Sequence, residues 1–266
     1  MNTIQRCRYG LMIYNRKDIY QGKSFENFGE YSEEEAILYK KFIKEGDSVF
    51  DVGANIGSFT TLFSRLTTKS GFVIALEPER HNFYTLCGNM AINNLTNVHC
   101  FQYALGENSG AINIPEYNHE EIQNHGGIQL NLEEKVETGY TVNLTTLDLI
   151  STPKKCSFIK IDVEGMELNV LKGGKVKILN DKPYLYVEND RAEKSKDLID
   201  FIKNELNYKI YQHNPAFFNQ NNFYACREDI FIKEMGTTFI SLNLFCVPQE
   251  VEIKETDIAE LKLKII

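Results

Sequence analysis

A glycine-rich run follows the first strongly apolar stretch of the chain. Asp51, Gly53, Asn55 and Gly57 belong to the sequence DVGANIG, which is followed by a segment with helical periodicity. Glycine lets the backbone turn tightly and approach a ligand closely, and the free N–H groups at a helix start attract polar or anionic ligand groups. This spacing predicts a nucleoside-binding turn, with an ordinary strand-to-helix turn as the alternative.

An acidic residue ends the next apolar run. Glu77, followed by Pro78, lies 20 residues after Gly57, where a carboxylate can accept hydrogen bonds from both ribose hydroxyls of a nucleoside. The turn departs from the dinucleotide fingerprint GxGxxG because Asn55 replaces its middle glycine. Asp51 directly before the turn suits a methionine ammonium better than a pyrophosphate, because opposite charges attract. The pattern favours S-adenosylmethionine over NAD, with an NAD-dependent oxidoreductase as the alternative.

The third predicted strand ends in Gln102, Tyr103 and Ala104. Ligands of open α/β sheets bind at the carboxyl ends of the strands. We therefore expect Gln102 to hydrogen-bond the adenine edge and Tyr103 or Ala104 to cover the adenine face. Packing in the core explains the same residues equally well.

Acidic residues also end two later apolar strands. Asp162 and Glu164 occur in KIDVEG, and Glu188 and Asn189 end the next strand. Because neighbouring strands open onto the same edge of a sheet, we expect Asp162 and Glu188 to lie close together. Either could act as a general base, or Asp162, Glu188 and Asn189 could bind Mg²⁺ through oxygen ligands. Loop and helix capping is the alternative.

A polar stretch rich in Asn, Glu and Gly separates these two groups of motifs. It runs from 106 to 140 with weak periodicity, which is typical of a lid, a hairpin insertion or a disordered segment. His125, beside Gly126, is a further candidate for a general base, held above the site by this stretch. An exposed loop histidine is the alternative.

The elements that must position these residues alternate between strands and helices. Strands are predicted over 48–52, 72–76, 97–102, 157–163, 183–188, 208–212 and 238–247. The main helices between them are predicted after Gly57 and over 81–93, 166–179 and 192–206. This order predicts an α/β fold of the Rossmann-like type, with a mostly parallel sheet and helices on both faces.

The motifs together resemble the FkbM-type methyltransferases. The similarity extends over about residues 29–247 and includes DVGANIG, Glu77-Pro78, KIDVEGME and LKGG. It implies a class I methyltransferase with a seven-stranded sheet, one strand antiparallel, that binds S-adenosylmethionine through Asp51, Gly53 and Glu77. Members commonly O-methylate sugars or natural products. The resemblance thus implies a sugar hydroxyl as acceptor, on a nucleotide-linked or surface-polysaccharide sugar.

Three alternatives accompany this interpretation. The acceptor could be another small molecule, such as a natural product or a phosphorylated metabolite, and a non-catalytic cofactor-binding scaffold is the alternative outside enzymes. The Asp162 and Glu188-Asn189 pattern also resembles metal-dependent catechol-type O-methyltransferases, which implies Mg²⁺. We divide the chain into a lead-in and helix (1–45), a methyltransferase domain (46–247) with an insertion at about 107–142, and a tail (248–266).

The composition narrows the classes of partner. Of 266 residues, 42% are hydrophobic and 25% charged, and the net charge of −8 disfavours a nucleic-acid partner. Six cysteines without a CxxC pair indicate neither a zinc site nor a disulfide framework. No run approaches the roughly 20 apolar residues of a membrane span. We expect a cytoplasmic protein, with a homodimer among the alternatives for its assembly.

Overall fold

The computed structural model describes residues 2–127 and 138–266. Part of the predicted insertion, 128–137, therefore lies outside the described residues. In chain order the strands are β1 (Asn2–Cys7), β2 (Gly10–Asn15), β3 (Ser48–Val52), β4 (Phe72–Leu76), β5 (Val98–Phe101), β6 (Tyr103–Leu105), β7 (Gly110–Pro115), β8 (Gly139–Thr145), β9 (Phe158–Ile161), β10 (Tyr184–Glu188), β11 (Tyr208–His213), β12 (Asn243–Pro248) and β13 (Lys264–Ile265).

Helices connect these strands and cover both faces of the central sheet. They are α1 (Gln21–Phe28), α2 (Glu33–Phe42), α3 (Ser58–Thr67), α4 (Arg80–Ile92), α5 (Glu167–Gly173), α6 (Lys175–Asp181), α7 (Ala192–Asn204), α8 (Ile230–Met235) and α9 (Glu255–Glu260). In the part of the chain that the structure describes, no helix is both long and apolar enough to cross a membrane.

The central sheet confirms the predicted Rossmann-like α/β class. Its order is β13-β11-β12-β10-β9-β3-β4-β5. The strands from β10 through β5 are parallel, whereas β12 runs antiparallel to both of its neighbours. Seven strands thus follow the pattern that the resemblance implies, and the two-residue strand β13 adds an eighth at the edge. The strands β3 and β9 are buried throughout, which is why their sequences are apolar on both faces.

Three predicted elements differ in the structure. The helix predicted over 166–179 is two helices, α5 and α6, which meet at Gly174, where a side chain would lie 2.6 Å from Leu147. The strand predicted over 238–247 starts only at Asn243. In 1–45, which the sequence divides only into a lead-in and one helix, the lead-in forms the β1–β2 hairpin and contains the additional helix α1.

The stretch between β5 and β9 forms a separate small sheet. Its order is β6-β8-β7, with β7 and β8 antiparallel. Inward-facing residues of this sheet, including Ala104, Ile114 and Val142, pack together with Met166. This small sheet therefore forms a wall beside the carboxyl ends of the central strands.

Candidate functional site

Two adjoining cavities open at the carboxyl ends of the parallel strands. The small cavity, of about 570 Å³, has mainly apolar walls that include Leu76, Ala104 and Met166. The large cavity, of about 1360 Å³, is more polar. Both cavities are lined by Gly53 and Glu77, so they meet at the glycine-rich turn. This is the edge at which ligands of open α/β sheets bind.

The glycine-rich turn has no room for a side chain at its first position. Gly53 has a φ of +76°, and a Cβ there would lie 1.7 Å from the carbonyl oxygen of Asp162. The turn therefore packs directly onto the end of β9. Gly57, also in the left-handed region, precedes α3, and a side chain there would meet Leu86 at 2.7 Å. Gly57 thus serves helix packing and is not among the residues that line the cavities.

Glu77 links the turn to the second strand. Its carboxylate accepts hydrogen bonds from the backbone N–H groups of Asn55 at 2.8 Å and Glu79 at 2.9 Å. The side chain is buried, and burial raises its pKa to about 8 in spite of these two donors. Each carboxylate oxygen can accept more than one hydrogen bond. Glu77 can therefore also accept hydrogen bonds from ligand hydroxyls in the adjoining cavities.

The other residues predicted to bind the cofactor fall into two groups. Pro78, Tyr103 and Ala104 line the small cavity, and Asn55 lines the large one. Gln102 lines neither cavity; its amide contacts the Pro78 carbonyl at 3.4 Å. Tyr103 and Ala104 therefore lie where a flat aromatic group of a ligand could pack against them, whereas Gln102 contacts the backbone and not the cavity.

Asp51 lies beneath the turn and not on a cavity wall. It is 1% exposed and accepts a hydrogen bond from the Thr60 hydroxyl at 2.5 Å. Its other neighbour is the Lys160 ammonium at 3.6 Å. Burial raises the pKa of Asp51, and Lys160 counteracts this shift. Among the described residues, Lys160 is therefore the cation that balances the charge of Asp51.

Lys160 is a buried cation to which the sequence analysis gave no role. It is 4% exposed, lines the large cavity, and its Nζ lies 3.1 Å from Asp162 and 3.2 Å from the Gly53 carbonyl oxygen. Burial alone would lower the pKa of Lys160, but Asp162 and Asp51 raise it above the ordinary value. Lys160 stays charged and holds the turn against the end of β9. A lysine inside an apolar strand was the available signal.

Three carboxylates converge in the large cavity. Asp162, Glu164 and Glu188 each offer an oxygen, and these oxygens lie within 4.8 Å of one another. Burial and the charge of Asp162 raise the pKa of Glu188 well above its ordinary value. Burial and Asp162 also raise the pKa of Glu164, to about 8, although its carboxylate pairs with Arg191 at 2.7 Å. The predicted proximity of Asp162 and Glu188 is thus present, with Glu164 as a third member.

Two predicted site residues lie elsewhere. Asn189 lines neither cavity, and its Nδ2 donates to the Ser195 hydroxyl at 2.9 Å. The third oxygen ligand beside Asp162 and Glu188 is offered by Glu164 instead of Asn189. His125 is 3% exposed and also lines neither cavity. Its ring nitrogens contact Asn15 at 3.2 Å and the Glu121 carbonyl oxygen at 3.0 Å. These two contacts indicate that His125 stabilises the loop in which it lies.

The far wall of the large cavity combines aromatic rings with an acid from α2. The rings belong to Tyr20, Tyr31, Phe59, Phe217 and Phe239. The acid is Glu35, which accepts hydrogen bonds from Ser32 at 2.7 Å and Tyr39 at 3.0 Å. Burial raises the pKa of Glu35 to about 7. The local sequence shows Glu35 only as an acidic residue in the first turn of a helix, so its place in this wall could not be predicted.

Comparison with known proteins identifies the family of this chain. The model of the methyltransferase FkbM domain matches residues 51–210, more than half of the chain. Methyltransferase 1 of Beauveria bassiana (strain ARSEF 2860) is 28% identical over 160 residues, a match that spans 53% of this chain. The same match spans only 61% of the length of that relative.

Two solved structures are among those similar to this chain. Methyltransferase FkbM from Methylobacillus flagellatus KT is 22% identical, with a TM-score of 0.47, and the alignment covers 75% of this chain and 43% of that one. A SAM-dependent O-methyltransferase from Thermotoga maritima is 10% identical, with a TM-score of 0.48, covering 95% of this chain and 79% of that one.

Proposed function

This chain belongs to the FkbM methyltransferase family, and on that premise we propose that it transfers the methyl group of S-adenosylmethionine to a hydroxyl oxygen of a sugar. One observation carries the proposal. The small apolar cavity and the large acid-lined cavity meet at Gly53, Glu77 and Asp162. A nucleoside in the first would therefore present its reactive group to an acceptor in the second.

The chemistry of the small cavity fits the nucleoside part of S-adenosylmethionine. Its apolar walls, including Leu76, Ala104 and Met166, suit a flat adenine ring, and Glu77 suits the two ribose hydroxyls. The carboxylate of Asp162 at the junction of the cavities suits the positive charge of the sulfonium or the ammonium. When bound, the cofactor supplies an electrophilic methyl group and a neutral thioether as leaving group.

The residues of the chain supply alignment and a base. A hydroxyl group is a weak nucleophile, so its proton must be removed as the new bond forms. We assign this role to Glu188, with Asp162 held in place by Lys160 at 3.1 Å. The acceptor O–H bond breaks and its proton passes to Glu188. The oxygen forms a bond to the methyl carbon, while the carbon–sulfur bond breaks and leaves its electron pair on sulfur.

The walls of the large cavity favour a sugar without phosphate groups. Aromatic faces such as Tyr31 and Phe217 suit the apolar side of a sugar ring, and acids suit its hydroxyls. Among the residues that the structure describes, the lining contains six carboxylates, those of Glu35, Glu77, Asp162, Glu164, Glu188 and Asp190. The two cations of this described lining, Lys160 and Arg191, are already paired with acids. Because a pyrophosphate would be repelled here, we favour a glycan or free sugar over a nucleotide-linked one.

Mg²⁺ is an alternative means of activating the hydroxyl. Asp162, Glu164 and Glu188 are oxygen donors of the kind that Mg²⁺ prefers. EDTA separates the two mechanisms: methyl transfer that persists after chelation supports Glu188 as the base, and transfer that is lost and then restored by added Mg²⁺ supports the metal.

Two measurements on the full chain test the proposal. In the first, thermal shift and calorimetry compare S-adenosylhomocysteine with NAD; we expect binding of the former only, weakened in Glu77→Gln and unchanged in the exposed control Glu120→Gln. In the second, labelled methyl transfer is followed on a panel of unphosphorylated sugars and nucleotide sugars. Selective binding of NAD would overturn the proposal, and cofactor binding without transfer to any sugar would favour the scaffold alternative.

A further inference from the structure

Strand pairing brings Glu188 and Asn243 side by side. Glu188 ends β10 and lies directly opposite Asn243, the first residue of the antiparallel strand β12. Asn243 in turn lies opposite His213 at the end of β11. Residues directly opposite in an antiparallel pair project from the same face, with Cβ atoms about 5 Å apart. Glu188 and Asn243 therefore present their polar groups to one place, and both line the large cavity.

Each of these two side chains has a buried polar atom without a hydrogen bond. Among the residues that the structure describes, neither Oε2 of Glu188 nor Nδ2 of Asn243 has a hydrogen-bond partner. Asn243 is 6% exposed, so its amide sits deep in the cavity wall. Buried polar atoms are almost always paired in folded proteins. An unpaired acceptor beside an unpaired donor therefore indicates a ligand group that fits between them.

The neighbouring polar side chains that the structure describes do not supply a hydrogen-bond partner for these two atoms. Asn243 lies near the phenol of Tyr186 and lowers the pKa of that phenol against the effect of burial, but among the described residues Nδ2 of Asn243 reaches no atom in hydrogen-bond geometry. The Tyr186 hydroxyl is hydrogen-bonded to Nδ1 of His213 at 2.7 Å. His213 is buried, and burial lowers its pKa to about 4, so it stays neutral. The Tyr186–His213 pair thus forms a fixed, uncharged support behind Asn243.

We propose that Glu188 and Asn243 form a hydroxyl clamp for the acceptor, an inference that rests on the proposed methyltransferase function. The acceptor oxygen accepts a hydrogen bond from Nδ2 of Asn243 and donates its own proton to Oε2 of Glu188. Only a group that is donor and acceptor at one atom satisfies both partners. An ammonium has no lone pair for Asn243, and an ionised phosphate oxygen has no proton for the ionised Glu188 carboxylate that acts as the base.

The clamp adds a positioning residue to the site and defines the class of acceptor. Asn243 fixes the oxygen against the carboxylate and thereby aims its lone pair, a geometry on which the rate of a displacement depends strongly. The acceptor group is therefore neutral and carries a lone pair and a proton on one atom, which an alcohol provides and an ammonium or an ionised phosphate oxygen does not.

Water serves as the probe for the clamp, because it carries the same donor and acceptor. In high-resolution crystals of the full chain, grown without and with S-adenosylhomocysteine, we expect an ordered oxygen within about 3.2 Å of both Oε2 and Nδ2. We expect Asn243→Leu, which keeps about the same size but removes both polar atoms of the amide, to lose this oxygen. The same exchange at the exposed Asn113 is the control and should retain it.

The outcomes separate this inference from the cofactor assignment. If no oxygen bridges the two atoms, or if the Asn243 amide donates to Tyr186 instead, the clamp is wrong even when S-adenosylhomocysteine binds. If the bridging oxygen is present but the nucleoside does not bind, the proposed function fails and the clamp must serve another reaction. Calorimetry should give Asn243→Leu an affinity for S-adenosylhomocysteine within about twofold of wild type, because Asn243 lines only the large cavity. Asn243→Ala, which also removes the donor, replaces Asn243→Leu if that variant does not fold.

Discussion

Nucleoside binding should depend on pH through Glu77, in a direction that the structure fixes. Burial raises the pKa of Glu77 to about 8. Two ribose hydroxyls that donate to the carboxylate stabilise its ionised form, so a nucleoside binds the ionised protein preferentially. Glu77 must lose its proton before the complex reaches full strength. The affinity should therefore rise with pH and level off above about pH 8, whereas an ordinary glutamate, with a pKa of about 4.3, would be ionised throughout this range and give a flat profile.

The size of the effect follows from the same pKa. At about pH 7 roughly a tenth of the protein carries an ionised Glu77, and at about pH 6 roughly a hundredth. Each pH unit below the pKa thus weakens binding about tenfold, or by about 1.4 kcal/mol. From about pH 9 to about pH 6 we expect Kd to rise by about 100-fold.

Calorimetry with 5′-methylthioadenosine measures this dependence cleanly. The ligand carries the adenine and ribose but no amino acid group, so its own charge stays constant over this pH range. Glu77→Gln should bind weakly with a flat profile. Glu164→Gln is the matched control, because Glu164 also lines the small cavity and its pKa is also raised to about 8. A flat wild-type profile, or an equal slope in Glu77→Gln, would refute the role of Glu77.

Three further outcomes follow from the geometry of the site. Gly53→Ala should abolish binding of S-adenosylhomocysteine in calorimetry, since its Cβ would lie 1.7 Å from the carbonyl oxygen of Asp162; near-normal affinity would contradict the packing of the turn. Glu188→Gln should lower labelled methyl transfer by about 100-fold or more with little change in cofactor affinity, and the wild-type rate should rise with pH because burial and Asp162 raise the pKa of Glu188. His125→Gln should keep the wild-type pH profile of methyl transfer, because the ring lies outside both cavities, and loss of a pH limb would restore His125 as a base.

The central strands could be predicted well because their signals are local. The runs 48–52 and 72–76 coincide with Ser48–Val52 and Phe72–Leu76. Both are short apolar segments between polar or glycine-containing turns, and burial on both faces requires that composition. The break between α5 and α6 could not be predicted in this way. A Cβ at Gly173 would lie 2.0 Å from the carbonyl oxygen of Gly106, a contact between distant parts of the chain.

The residues of the candidate site also differ in whether a local sequence signal reveals them. Gly53 and Glu77 could be named from sequence because a turn and a strand end carry their own composition. Glu35 and Asn243 could not, since each resembles an ordinary residue of its own element and acquires its significance only through neighbours from other elements. Lys160 offered one signal, a lysine inside an apolar strand, but its partners Asp51 and Asp162 become visible only in the fold. Asn243 lies more than fifty residues after Glu188 in the sequence. The two residues become adjacent only because β12 pairs antiparallel with β10.

The charges of the large cavity connect the cofactor to the base. Lys160 is held between Asp51 and Asp162, and Arg191 is paired with Glu164 and Asp190. No cation of the described residues is paired with Glu188, and its neighbours are acids that keep its proton bound. If the proposed cofactor binds with its sulfonium at the junction of the cavities, Glu188 would gain a nearby positive charge and its pKa would fall, because nearby opposite charge favours the ionised form. The base is therefore expected to become competent only once the methyl donor is in place, which couples deprotonation of the acceptor to the presence of the electrophile.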